Sequence, residues 1–328
     1  MSNARKLADN LPTDGQLGNR NLVTNGSMII SQRSTSVSSQ TGSGYKTIDR
    51  FRVNASGATY NQSQQTVTVG GETGLPTEFT KFLRHECTSG NDNHFLMTRI
   101  EDVAKFQGDM VLSFYAKGSN PSTLGKLSVK FHQSFGSGGS SDVYTTVQDL
   151  TLTSTWQRFT FKVTMASISG KTVGNGNYGS FLIGQDTDTS TDAWTLDITG
   201  VQLEVGSQST PFEHEPYETT LRKCQRYFQH HQGNYYTIFL NGSIDTTSAY
   251  LSGPLTQVMR VKPSFSTANC YLYARPTGSL TYTSTENRCN TSFATIGFHG
   301  ISGSIANSAG MRFESDNNNG YVRYDAEL

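Results

Sequence analysis

Apolar and polar residues alternate along most of the chain, and this pattern predicts many short β-strands. The alternation is clearest over residues 110–116 and 127–132, each of which is followed by polar turn residues. Further strands are predicted at residues 22–30, 48–54, 66–69, 156–163, 181–184 and 194–203. In the last of these the alternation shifts near Gly200, where we expect a β-bulge. Trp156 and Trp194 fall in the apolar phase and are predicted core residues.

One segment, residues 216–229, has helical rather than strand periodicity. Its apolar residues recur at spacings of four, three and four, at Tyr217, Leu221, Cys224 and Phe228. They form a single stripe on a helix, Pro216 suits the first turn, and Gly233 lies just beyond the end. This segment is predicted to be a helical linker over residues 216–232.

The strand pattern resumes after the linker and continues to the end of the chain. The predicted fold class is therefore all-β, with two antiparallel β-sandwich or jelly-roll domains joined by one short helix. The first domain spans residues 21–215 and the second spans residues 233–328. Residues 1–20 are polar and rich in turn formers, which is typical of a disordered tail or of a peptide that docks on another protein.

Composition excludes several classes of protein. Only 16% of the 328 residues are charged, and the 26 basic residues balance the 26 acidic ones. A neutral chain lacks the electrostatic attraction for nucleic acid, so no nucleic-acid partner is predicted. The aromatic content of 11% argues against disorder. No apolar stretch is long enough to span a bilayer, so no membrane insertion is predicted, and no secretory leader is visible.

The four cysteines are Cys87, Cys224, Cys270 and Cys289. They lie far apart and contain no C-x-x-C pair, so they have neither zinc-ribbon spacing nor the density of a disulfide scaffold. They are predicted to be reduced and mostly buried, as suits assembly in a cytoplasm.

Two motifs match cofactor or metal sites only in part. Gly174, Gly176 and Gly179 satisfy G-x-G-x-x-G, but a strand follows them and no helix does, so the segment is predicted to be a loop. The run Glu213-His214-Glu215 lacks the H-E-x-x-H spacing of a zinc helix, and a solvated linker is the favoured interpretation. No cofactor is predicted.

Asp186, Asp188, Ser190 and Asp192 alternate in the way that calcium-binding loops place their oxygen ligands. Thr191 stands where such a loop needs its turn glycine, and the flanking segments are strands rather than helices. The segment is interpreted as the polar tip of a hairpin, with these three aspartates as the candidates should calcium bind.

Neither a nucleophile motif nor a carboxylate pair can be identified, so no enzymatic activity is predicted. The densest set of aromatic residues lies in the second half, where flat rings could stack on sugars. The candidate glycan contacts are Tyr235, Tyr236, Tyr271, Tyr273, Tyr282 and the nearby Arg275. The alternative for each tyrosine is a place in the strand core or at a contact between subunits.

Several segments resemble virion proteins of tailed phages. The opening NLVTNGSM (residues 21–28), QR (32–33), Tyr45 and DRF (49–51) resemble the start of many such proteins. The runs GVQLEVG (200–206), TPFE (210–213) and CQRYF (224–228) carry the most specific resemblance. Met259-Arg260 and the terminal DAEL (325–328) resemble the C-terminal domain of that family. LSFYAKG (112–118) and WQRF (156–159) resemble the paired inner strands of a carbohydrate-binding-module-like jelly roll.

This resemblance implies a tail-fibre or receptor-binding appendage of the virion, assembled as a homotrimer in the host cytoplasm and without enzymatic activity. Residues 1–20 would attach to other virion proteins, and the apolar stripe of the linker helix would face the three-fold axis. The C-terminal domain would contact a host cell-surface glycan. Sugar-binding modules of this kind often hold calcium beside an Asp pair, whose positions here are Thr199 and Gly200.

Three other functions stay open at this point. A capsid or neck decoration protein (a head fibre) would have a mechanical role. A polysaccharide depolymerase would normally show the sequence repeats of a β-helix, and none is visible. A lone secreted sugar-binding module would need a secretory leader.

Overall fold

The structure, a computed structural model, describes residues 19–68, 70–90, 93–186, 192–234, 237–245, 248–274, 278–302, 311–316 and 319–328. These residues form antiparallel β-sheets, together with one short 3-10 helix (Val103–Lys105) and one α-helix, α1 (Tyr217–Gln225). The chain divides into two compact units, and the boundary falls between Thr220 and Leu221, within α1. The predicted all-β fold with two β-sheet units is confirmed.

The first unit contains two six-stranded antiparallel sheets. Its strands are β1 (Ser36–Thr41), β2 (Gly44–Tyr45), β3 (Phe51–Asn54), β4 (Thr59–Thr66), β5 (Lys81–Ser89), β6 (His94–Glu101), β7 (Gly108–Ser119), β8 (Leu127–Ser134), β9 (Val143–Leu150), β10 (Gln157–Met165), β11 (Tyr178–Gln185) and β12 (Trp194–Val205). One sheet has the order β1-β4-β5-β12-β7-β10 and the other β2-β3-β6-β11-β8-β9. Of the strand predicted at residues 66–69, only Thr66 lies in a strand, as the last residue of β4, and residues 67–68 do not.

The core of this unit lies between the two sheets because alternate residues of each strand point inward. On β11, Phe181 and Ile183 point inward and are fully buried, opposite Leu96 on β6 and Phe131 on β8. Trp194 belongs to this core, whereas Trp156 is buried in a smaller cluster with Phe82 and Phe79. Both tryptophans are therefore buried as predicted.

The expected bulge at Gly200 is confirmed. The pairing of β12 with β7 shifts register between Thr199 and Gln202. Gly200 has a φ of +61°, a left-handed conformation that glycine adopts without strain. A Cβ at this position would lie 2.7 Å from Cζ of Phe79, so the bulge needs glycine for space as well.

The strand predicted over residues 22–30 is wrong, because this segment is a turn. Asn25 has a φ of 65°, and its buried amide bonds three main-chain groups. Its Oδ1 accepts from the N–H of Ile30, and its Nδ2 donates to the carbonyls of Ile30 and Asp49. These bonds give the backbone an alternative to a strand ladder.

The segments NLVTNGSM, GVQLEVG and TPFE meet at the β12 bulge. Asn21 donates to the carbonyl of Val201 and accepts from the N–H of Leu203. The buried Gln202 donates to the carbonyl of Pro211 and accepts from the N–H of Glu213, whose carboxylate accepts from the N–H of Asn21. The residues that carry the resemblance here bond these three segments to one another, which is a structural role.

The second unit contains a seven-stranded and a three-stranded antiparallel sheet. Its strands are β13 (Phe228–Gly233), β14 (Ile238–Asp245), β15 (Ser248–Pro254), β16 (Ser264–Ala268), β17 (Cys270–Ala274), β18 (Gly278–Leu280), β19 (Ser284–Asn287), β20 (Phe293–His299), β21 (Met311–Ser315) and β22 (Gly320–Asp325). The sheet orders are β18-β17-β21-β14-β15-β20-β19 and β13-β22-β16. Their core includes Leu251, Leu272, Ile296, Phe313 and Val322.

The predicted linker helix is shorter than expected. It ends at Gln225, and Phe228 is the buried first residue of β13 rather than part of a helical stripe. Cys224 is fully buried, whereas Tyr217 is 55% exposed. The stripe Tyr217, Leu221, Cys224 and Phe228 is therefore not a continuous apolar face, because the pairing of Phe228 with Asp325 on β22 places it in a sheet.

The CQRYF, Met259-Arg260 and DAEL segments also meet one another. The N–H of Ala326 donates to the carbonyl of Tyr227, and the N–H of Arg260 donates to that of Arg226. The Arg260 guanidinium donates to the carbonyls of Ala326 and Glu327. These motif residues thus have a structural role, because they join three distant segments of the sequence by hydrogen bonds.

The cysteine prediction is confirmed, since all four are free thiols and only Cys270 is not fully buried. Burial raises the pKa of Cys87 to about 12 and raises those of Cys270 and Cys289, so these thiols stay protonated. Residues 174–177 form a loop that leads into β11, as predicted. Among the described residues, no helix has the length and apolar character needed to cross a bilayer.

Candidate functional site

The candidate site is the outer face of the seven-stranded sheet, formed by the residues that alternate with its core. Leu251, Leu272, Ile296 and Phe313 point inward, so their strand neighbours point outward. Cross-strand pairing aligns these neighbours in rows across the sheet. The outer face consists of Tyr271, Tyr273, Arg312, Glu314, Asn241, Ser243, Ser248, Tyr250, Ser252, Thr295, Gly297, His299, Glu286 and the adjoining Arg288.

Two tyrosines, an arginine and a glutamate form one end of the outer face. Tyr271 and Tyr273 lie on β17 with ring centroids 6.3 Å apart. The Tyr271 hydroxyl donates to Oε1 of Glu314 at 2.8 Å, and the Arg312 guanidinium lies 5.0 Å above the Tyr273 ring. Arg312 Nε lies 3.6 Å from Oε2 of Glu314, which is almost completely buried. The carboxylate therefore holds the phenol by a hydrogen bond and lies beside the guanidinium as its counter-charge.

Tyr250 forms the other end of the outer face. Its side chain is 36% exposed, and the Arg288 guanidinium lies 4.5 Å from the ring centroid. Arg288 Nε donates to Oε2 of Glu286 at 2.7 Å, and this hydrogen bond lowers the pKa of Glu286. Glu286 is therefore ionised at neutral pH and cancels the charge of Arg288. The result is an exposed aromatic ring held by a neutral pair.

Ser248, His299 and Glu286 form a row of a hydroxyl, an imidazole and a carboxylate, the groups that make up a hydrolase triad. Ser248 Oγ is 3.0 Å from Nδ1 of His299, and His299 Nε2 is 3.4 Å from Oε2 of Glu286. That carboxylate oxygen already accepts the shorter bond from Arg288. A triad carboxylate must instead hold the imidazole tightly to stabilise its charged form. The geometry suits a fixed His299 ring better than proton transfer.

The structure brings together only some of the predicted glycan contacts. Tyr271 and Tyr273 lie on the outer face, whereas Tyr282 packs against the core, 4.9 Å from the Phe298 ring. Tyr235, Tyr236 and Arg275 lie outside the described residues. The prediction did not include Tyr250, Arg288, Arg312 or His299. The alternation of Ser248, Tyr250 and Ser252 with Ala249 and Leu251 was a signal for an outward-facing Tyr250.

The calcium candidates do not converge in the described part of the chain. Asp186 forms an ion pair with Lys130, and Asp192 accepts from the N–H of Thr123. Asp188 lies outside the described residues. Across the described ranges, no group of three or more His, Cys, Asp or Glu residues is placed to hold a metal ion.

A smaller aromatic cluster lies on the first unit. Tyr144 is 59% exposed and stacks on His132, with parallel rings 4.1 Å apart. Asp142 lies 2.8 Å from Nε2 of His132. Burial lowers the pKa of His132, and the nearby Asp142 opposes this effect. Because His132 is itself buried, this cluster offers a ligand one exposed ring, and the outer face of the second unit offers a wider surface.

Comparison with known proteins yields distant similarities. No protein family matches the chain. No curated protein matches it either. The CBM22-2 xylan-binding domain from Paenibacillus barcinonensis Xyn10C is 12% identical and aligns over 48% of this chain and 92% of its own, with a TM-score of 0.31. A family 30 carbohydrate-binding module is 14% identical over 54% of this chain and 96% of its own, with a TM-score of 0.30.

A phage protein is among the similar structures. The enzymatically active domain of bacteriophage CBA120 tailspike protein 4 is 14% identical, with a TM-score of 0.31. The alignment covers 56% of this chain and 21% of the tailspike chain. These similarities are too low to assign a function.

Proposed function

We propose that this chain is a non-enzymatic structural protein of a tailed-phage virion, a tail fibre or tail-tip appendage that binds host surface glycans through the outer face of its second unit. The motif resemblance supports the virion assignment. The outer face supports glycan binding, because it combines the exposed ring of Tyr250 and the partly exposed rings of Tyr271 and Tyr273 with hydroxyl and amide groups.

The single observation that carries the binding proposal is the placement of Tyr250, Tyr271 and Tyr273 on one side of one sheet. Aromatic rings provide flat apolar area at low entropic cost, and their neighbours Asn241 and Ser243 are exposed donors and acceptors. Sugars present apolar C–H faces and polar hydroxyls together, so this mixture of groups matches them.

Substitution of Tyr250 or Tyr273 should weaken glycan binding. We expect the full-length protein to bind a subset of bacterial surface glycans on an array, and Tyr250→Ala or Tyr273→Ala to weaken binding by about tenfold or more, as for central aromatic contacts in other interfaces. The matched control is Tyr144→Ala, which removes an exposed tyrosine from the first unit. Circular dichroism would check that each variant is folded.

The outcomes separate the alternatives. Loss of binding in Tyr144→Ala with normal binding in the other two variants would move the site to the first unit and overturn this assignment. Absence of binding to any surface glycan would contradict the adhesion proposal and favour a mechanical decoration protein. Release of reducing ends or acyl groups from a bound polysaccharide would show a depolymerase or esterase instead.

The homotrimer remains part of the proposal, but its predicted interface changes. Cys224 and Phe228 are buried within a single chain, so they are not available to neighbouring subunits. The nine-residue helix is also too short for the sustained heptads of a coiled coil. We expect light scattering to give three times the chain mass at micromolar concentration, and a stable monomer there would contradict trimer formation.

A further inference from the structure

The two aromatic ends of the outer face are far apart. Tyr273, Arg312, Asn241 and Ser252 pair in turn across β17, β21, β14 and β15, and Tyr250 lies two residues from Ser252. Three inter-strand spacings and one two-residue step along the strand separate the Tyr273 and Tyr250 backbones by about 16 Å. A single pyranose ring cannot contact both tyrosines, whereas a chain of several linked sugars can.

The surface between the two ends is open and polar. Asn241 and Ser243 lie between them on β14 and are exposed, and next to Tyr250 the hydroxyls of Ser252 on β15 and Thr295 on β20 lie 3.0 Å apart. Gly297 keeps the surface low beside Tyr250, because a Cβ there would lie 3.0 Å from Cε1 of that ring. Hydroxyl and amide groups on a low surface suit the hydroxyls of a sugar chain that lies across the strands.

The outer face has cations at both ends, but each has a carboxylate partner. Glu286 pairs with Arg288, and Glu314 lies beside Arg312. The paired guanidiniums therefore present little net positive charge to a ligand, and a polyanionic glycan would in addition face the accessible carboxylate of Glu286. A neutral sugar chain avoids that repulsion and can still stack on the rings.

We propose that the outer face binds an internal segment of a neutral polysaccharide, several sugar residues long and extended across the strands from Tyr273 to Tyr250. It does not select a single terminal sugar or a polyanionic chain. This inference rests on the proposed glycan-binding function and specifies the class of glycan.

The test uses a ladder of oligosaccharides, from the monosaccharide to the hexasaccharide, cut from the polysaccharide with the strongest array signal. By calorimetry with the full-length protein, we expect affinity to rise by about tenfold or more along the ladder as the second ring is reached, as for linked binding events. In Tyr250→Ala the rise should stop at shorter oligosaccharides. Sodium chloride should change the affinity little, because a neutral ligand has no counterions to release.

The outcomes distinguish failure of this inference from failure of the proposed function. Binding of the monosaccharide as tightly as the hexasaccharide would overturn the extended-segment inference and leave glycan binding intact. Preference for anionic glycans, with strong weakening by salt, would overturn the assignment of a neutral ligand. A protein that binds no glycan on the array would overturn both proposals. Tyr144→Ala should retain the full length dependence.

Discussion

Replacement of Asn25 by alanine is expected to lower the free energy of unfolding of the first unit by about 3–5 kcal/mol, because two buried main-chain groups lose their partner at once. These are the N–H of Ile30 and the carbonyl of Asp49, whereas the carbonyl of Ile30 still accepts from the N–H of Asp49. The amide of Asn25 is 2% exposed and bonds the N–H and carbonyl of Ile30 and the carbonyl of Asp49. Alanine would also be strained at the φ of 65°.

Two variants separate these contributions. Asn25→Gly removes the hydrogen bonds of the side chain, but glycine tolerates the positive φ. Its free energy of unfolding should therefore fall by most of the amount expected for Asn25→Ala. Asn93→Ala is the matched control, since Asn93 is exposed with a φ of 56° and should cost only about 1 kcal/mol from backbone strain. Denaturant unfolding followed by tryptophan fluorescence measures the first unit, because both tryptophans lie in it. Equal losses in Asn25→Ala and Asn93→Ala would contradict the role of the buried bonds.

Hydrogen bonds from a side chain to the main chain, such as those of Asn25, cannot be predicted from the pattern of apolar residues. The segment around Asn25 has the alternation of a strand, but its amide satisfies main-chain groups that a strand would pair with a neighbour. By contrast, β7, β8 and β12 follow from their alternation, and the bulge at Gly200 follows from the break in it. The strands β5 and β6 were not predicted, because His85 and His94 occupy core positions and interrupt the apolar phase.

The candidate site was predictable only in part for a topological reason. Tyr271 and Tyr273 are two residues apart, so one strand places them on one face. Tyr250 and Arg312 join them only through the order β17-β21-β14-β15, in which β17 and β21 are distant in sequence. Tyr282 has the same residue type but lies just after β18, where it turns toward Phe298. Which residues share the outer face therefore depends on the order of the strands in the sheet, and the alternation within a single segment does not indicate that order.

Acidification is expected to destabilise the first unit through His85 and His94. These residues lie on β5 and β6, in different sheets, and both are fully buried. Their Nε2 atoms are 2.9 Å apart, and Nδ1 of His94 lies 3.2 Å from Sγ of Cys87. The contact between the two Nε2 atoms accommodates one proton, and a second proton would set two N–H groups against each other.

The direction of the pH effect follows from the pKa values. Burial lowers the pKa of His94 to about 4, and burial together with His94 lowers the pKa of His85 well below its ordinary value. In the unfolded chain both groups bind protons below about pH 6.5, so the unfolded state binds more protons than the folded state. The stabilisation is complete above pH 6.5 and is lost as the pH falls toward 4, by about 3 kcal/mol for His94 alone.

The double variant His85→Gln/His94→Gln removes these two titrating groups and should make the stability profile less steep between pH 6.5 and 4.5, although it will lower stability at neutral pH. Tyr60 and Cys87, whose pKa values burial raises to about 12, stay neutral throughout this range. His214→Gln is the control, because it replaces a histidine of the first unit that is 43% exposed and lies outside this buried pair. NMR titration of the folded wild-type protein provides a measurement that does not depend on whether the double variant folds. Imidazole signals of His85 and His94 that protonate near pH 6.5 in the native state would contradict the prediction, as would parallel profiles for the wild-type protein and the double variant.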